Sequence, residues 1–144
     1  KDEPYGELPS YYRNRLTRIE KAIEKHCGLS VLLPHRDINN WGKTSYTAEY
    51  LTPKIVKSVE NAVAFIAIPS CSIGAHLELG IAIARKIPVV IFDTADFPKS
   101  FFLDGFAELP NVKCIRTPSL SKIPMLIESE NISAFIKAQG ESRL

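Results

Sequence analysis

NAVAFIAIPSCSIGAHLELGIAIARKIPVVIF, residues 61–92, is the stretch that decides the fold. Val63 to Ile68 is an unbroken apolar run of strand length, and Pro69 to Gly74 is a turn. Ala75 to Arg85 is then apolar almost all round apart from His76, Glu78 and Arg85, which implies a buried helix. Val89 to Phe92 is a second apolar run. Apolar strands separated by helices indicate a parallel sheet covered on both faces, because a sheet open on one side alternates apolar with polar residues. The expected class is a three-layer α/β domain.

Working outward, Ser10 can cap a helix running to about His26 whose apolar stripe is Tyr12, Leu16, Ile19, Ala22 and Ile23. Gly28 stops it, and Leu29 to Leu33, closed by Pro34, has the size of a buried strand. His35 to Thr52 is polar and reads as a loop, after which Pro53 opens a helix to about Glu60. Beyond Phe92 the pattern predicts a short helix at Phe101–Phe106, a strand at Val112–Arg116 and helical turns from Ile123 to Lys137. In parallel sheets ligands bind past the carboxyl ends of the strands, here after Leu33, Ile68 and Phe92.

A chain of 144 residues suits a single domain spanning residues 1–144. With 45% hydrophobic and 24% charged residues it is an ordinary globular composition, and the longest charge-free run, Asn61 to Leu77, is too polar for a membrane span. A net charge of +2 from scattered residues predicts no nucleic-acid partner. Cys27, Cys71 and Cys114 form no CxxC pair, so a disulfide framework is not expected and a cytoplasmic location is. His26, His35 and His76 lack zinc spacing, and neither GxGxxG nor GxxxxGK[ST] occurs, so neither a metal nor a cofactor is expected.

Glu78 is the single carboxylate between Asn61 and Phe92, about one turn after Gly74 in the most apolar helix. Burying a lone carboxylate costs several kcal/mol, so it is either paired, with Arg85 or His35, or kept for function as a nucleophile. Ser70, Ser72 and Gly74 are either turn and capping residues or an anion cradle of hydroxyls and amides. Cys71 near the helix start reads as a packing residue, since no His/Asn arrangement surrounds it.

The order helix, apolar strand, Pro/Ser turn, Ser72-Ile73-Gly74, Glu78-Leu79-Gly80-x-Ala and a strand after Lys-x-Pro resembles the nucleoside 2-deoxyribosyltransferase superfamily, over roughly residues 10 to 110. That resemblance implies a flavodoxin- or Rossmann-like sheet. It also implies cleavage of the base–sugar bond of a nucleoside or nucleoside monophosphate, by hydrolysis or deoxyribosyl transfer, with Glu78 attacking the anomeric carbon. Ser72 and Gly74 would contact phosphate, and Ser100 is similar to a serine that a neighbouring subunit contributes, so a homodimer or higher homo-oligomer is implied. The family's first strand would lie upstream of Lys1, making Tyr5 a candidate substrate contact. The Asp often found early in the helix before the central strand has no counterpart among Lys54, Ile55 and Val56.

Breaking an N-glycosidic bond builds oxocarbenium character that an adjacent carboxylate stabilises or captures, and the base leaves more readily with a proton. Asp37 is the candidate acid, His35 and Arg36 are candidate substrate contacts, and Trp41 and Tyr46 could stack on a base or cover the core. Two other functions fit the same fold: a TIR-like NAD glycohydrolase or signalling domain, and a nucleotide-binding module without turnover.

Overall fold

A computed structural model describes residues 7–69 and 73–142. Its elements are α1 (Ser10–Cys27), α2 (Pro34–Asp37), a 3₁₀ turn at Asn40–Gly42, α3 (Ala48–Glu60), β1 (Phe65–Ala67), α4 (Ile73–Ala84), β2 (Val89–Thr94), α5 (Leu103–Phe106) and β3 (Val112–Thr117). A second 3₁₀ turn at Leu120–Lys122 leads to α6 (Ile123–Ser129) and α7 (Ile132–Ser142). Gly28 ends α1 in the left-handed conformation at φ 67°, its N–H donating to the Glu24 carbonyl at 3.1 Å.

The strands lie in the order β1-β2-β3, all parallel, with Phe65 opposite Val89 and Val89 opposite Val112. Central β2 is apolar from Val89 to Phe92 because it is walled on both faces. Val90 and Phe92 point into a core built with Ile19 and Ile23 of α1, Ile123 and Ile127 of α6, and Ile132 of α7. Val89 and Ile91 point the other way, to Val59 of α3, Leu79 and Ala82 of α4, and Leu103 of α5. The fold is therefore a Rossmann-like three-layer α/β arrangement: helices, parallel sheet, helices. Each of the buried Val, Leu, Ile and Phe side chains contributes about 1.5–3 kcal/mol of hydrophobic stabilisation.

Four expectations need correction. Leu29–Leu33 forms no strand: Leu29 and Val31 pack against the α1-side core, Leu32 is 53% exposed, and the chain turns into α2 at Pro34. A strand needs a ladder partner, and among the described residues β1 is paired on its β2 side alone. The loop expected over residues 35–52 holds α2, a 3₁₀ turn and the opening of α3, which starts at Ala48. The Thr47 hydroxyl caps α3 by accepting the Tyr50 N–H at 3.4 Å, and Pro53 sits inside the helix rather than in its first turn. Ser10 is likewise the first helical residue of α1 and makes no side-chain cap.

Candidate active site

All three strands run parallel, so their carboxyl ends share one edge of the sheet, and α4 sets out from that edge after β1. The helix turns Leu79 and Ala82 inward, with 1% and 0% of their surface exposed, and leaves Leu77 59% exposed outside. Glu78 shares a face with Ala82, four residues on, and is therefore half-buried rather than extended into solvent. No described residue hydrogen-bonds or ion-pairs with its carboxylate, and burial pushes its pKa above the ordinary glutamate value.

The structural partners that sequence offered for Glu78 are engaged elsewhere. Arg85 pairs with Glu60. The His35 ring meets Tyr12 edge-on, centroids 6.4 Å apart. Ahead of Glu78, Gly74 is an exposed residue in the first turn of α4. Ser70, Ser72 and Tyr5 lie outside the described residues. Ser100, in the loop after β2, is tied to α4 by a 2.8 Å hydrogen bond between its hydroxyl and His76 Nε2.

Asp37, the candidate acid, is held by its neighbours. Its Oδ2 accepts the Leu33 N–H at 2.7 Å and its Oδ1 accepts Arg36 Nε–H at 2.8 Å. The Arg36 hydrogen bond, with help from the Leu33 amide, holds the carboxyl below the usual aspartate range. Arg36 also donates to Glu20 of α1 at 2.6 Å, whose side chain is only 9% exposed. Arg36 and Asp37 thus fasten the 33–37 segment to α1. Trp41 adopts φ 60° in the 3₁₀ turn and its carbonyl accepts the Leu8 N–H at 2.9 Å.

Clefts open at two places in particular among the described residues. One, of about 350 Å³, lies at the carboxyl ends of β2 and β3 between Asp93, Thr94, Phe97, Lys99, Arg116 and Pro118. Arg116 pairs across it with Asp93 at 3.2 Å, and the Thr94 hydroxyl is buried without a partner. Sequence reasoning pointed to the loop after Phe92 but took only Ser100 from it; the polar Asp93-Thr94 pair closing an apolar run was the missed signal. The other cleft, of about 390 Å³, lies between Asp37 and Ile38 on one side and Tyr50, Lys54 and Lys57 of α3 on the other, with Tyr46 at its edge. Glu78 is not among the described residues lining either, so the structure does not bring Asp37 and Glu78 into one of these clefts. Among the described residues no group of three or more His, Cys, Asp or Glu could hold a metal ion, and no helix is long and apolar enough to cross a membrane.

No protein-family model matches the chain, and no curated protein matches it in sequence. A solved structure that does match is the CMP N-glycosidase BcmB of Clostridium botulinum, at 18% identity and a TM-score of 0.63, over 84% of this chain and 96% of that one. The likeness lies in the fold: this chain shares the architecture of that structure over nearly its whole length.

Proposed function

We propose that the chain is an N-glycosidase that cleaves the base–sugar bond of a nucleoside or nucleoside monophosphate, with Glu78 as nucleophile. The observation that carries this is the half-buried Glu78 carboxylate, without a partner among the described residues, on the helix that follows β1, in a fold shared with an N-glycosidase structure. A paired glutamate would be held by its cation, whereas a desolvated one without a partner is poised to neutralise a developing positive charge.

In the proposed reaction a Glu78 oxygen bonds to the anomeric carbon as the carbon–nitrogen bond breaks. The bonding pair leaves with the base, whose ring nitrogen takes up a proton, and water then hydrolyses the glycosyl ester and restores the carboxylate. Ser70, Ser72 and Gly74 are proposed to hold the substrate's phosphate at the start of α4, with Tyr5 and His35 as further contacts and Ser100 reaching a second copy's site in a homo-oligomer. Hydrolysis is preferred to transfer because α3 offers no Asp among Lys54, Ile55 and Val56.

The test incubates the wild type and Glu78→Gln with deoxynucleosides, ribonucleosides, their monophosphates and NAD, and measures released base by chromatography. Base release from a nucleoside or nucleotide that vanishes in Glu78→Gln is the expected result. Release untouched by the substitution removes Glu78 from the mechanism. Cleavage of NAD alone points to the TIR-like activity, and binding without release to the module without turnover.

A further inference from the structure

The cleft along α3 is a second place where the molecule offers unspent chemistry. A helix packed on its neighbours presents apolar residues to them, yet on the side of α3 facing the 32–38 segment the stripe is Tyr50, Lys54, Lys57 and Asn61. The spacing of three, four and seven residues places all four on one face. Tyr46 stacks on Tyr50 with centroids 5.0 Å apart and planes 24° from parallel, and the two rings remain 43% and 49% exposed. Lys54 Nζ stands 4.3 Å above the Tyr50 ring and 2.7 Å from its hydroxyl.

Charge in this cleft is unbalanced. The ammonium of Lys57 and the amide of Asn61 have no hydrogen-bond or ion-pair partner among the described residues, while the one acidic wall residue, Asp37, is already satisfied by Arg36 and the Leu33 amide. A stacked aromatic pair left open beside two lysines matches a planar ring carrying an anionic group: the ring extends the tyrosine stack and the anion meets the ammonium groups.

We propose that this cleft is a binding site for a nucleoside monophosphate, built by Tyr46, Tyr50, Lys54 and Lys57 and separate from Glu78. It rests on the cleft's own geometry and stands whether or not Glu78 is a nucleophile.

The test uses the Glu78→Gln chain, so that no probe is consumed. It follows acetylation of individual lysines by mass spectrometry with uridine 5′-monophosphate, uridine or inorganic phosphate present. Saturating nucleotide is expected to slow modification of Lys54 and Lys57 about tenfold, with Lys21 and Lys137 unchanged and with uridine or phosphate alone giving much weaker protection. Tyr50→Ala, which keeps both lysines, is expected to abolish the protection. Lack of protection at Lys54 and Lys57, equal protection by phosphate alone, or protection that survives Tyr50→Ala overturns the proposal. Turnover by the wild type is read separately as base release, so failure of the glycosidase reading and failure of this one are told apart.

Discussion

For Glu78, the proposed nucleophile, activity and stability are expected to respond to pH in opposite ways. Burial without a partner raises its pKa in the folded chain above the unfolded value. Such a group favours folding below its unfolded pKa and loses that contribution as pH rises through the folded pKa. Glu78→Gln is therefore expected to melt higher than the wild type at pH 7, with the difference shrinking toward pH 4, as thermal unfolding across that range will show. Activity runs the other way, since the nucleophile must be ionised. The acid limb of kcat against pH is expected above the ordinary glutamate value, and Glu78→Gln should lower kcat by about a thousandfold or more. A variant that melts higher while losing turnover separates a functional carboxylate from a structural one, because removing one partner of a structural ion pair destabilises.

At the scale of elements, Arg36 shows how a short helix with no buried residue of its own is held in place. Its link to Glu20 docks α2 on α1, while its link to Asp37 lies within α2 and fixes the guanidinium. Arg36→Ala leaves the largely buried Glu20 without that cation and is expected to cost about 1–3 kcal/mol in chemical denaturation, discounted for the partial exposure of Arg36. Asp37's share of this stability is present above the ordinary aspartate pKa and fades as pH falls through its depressed value, so the cost should narrow in acid. In α4, a Cβ added at Gly80 meets nothing within 4 Å, so Gly80→Ala is expected to stabilise the helix by about 0.5–1 kcal/mol. A higher Tm with weakened turnover would mean that substrate uses that open space. These elements also show what the sequence made legible. The runs at 63–68 and 89–92 carry their own signal because they hold no charged residue, while 75–85 and 112–116 keep enough apolar positions around Glu78, Lys113 and Arg116 to be read, and the four appear as β1, α4, β2 and β3. Leu29–Leu33 has the same composition, but strand formation depends on a neighbour that local sequence does not encode. Among site residues Glu78 stood out as one charge in an apolar helix. The pairing of Asp37 with Arg36 and the Leu33 amide arises from the fold of α2, which periodicity over four residues cannot announce.

For the whole molecule, the open question is where the apolar surface goes. Phe101 is 90% exposed and Phe102 59%, the two rings meet edge to face with centroids 5.4 Å apart, and Phe102 stacks on Phe106. Leu77, 59% exposed on α4, belongs to the same neighbourhood, because the adjacent residues His76 and Ser100 are hydrogen-bonded to each other. Aromatic rings so exposed beside an aliphatic one form the kind of patch that folded chains cover with a partner. A second copy is the occupant the proposed function favours, since Ser100 directly precedes Phe101 and is proposed to reach a neighbour's site. Phe101→Ser removes apolar area without touching the core. It is expected to shift the chain from oligomer to monomer in sedimentation at micromolar concentration while leaving Tm measured at high dilution unchanged. It should also lower base release in proportion to the monomer fraction, with activity recovering as protein concentration rises. A wild type that sediments as a monomer at every concentration yet turns over fully would show that the Ser100 loop serves its own chain, and that Leu77 and the two phenylalanines cover nothing the reaction needs.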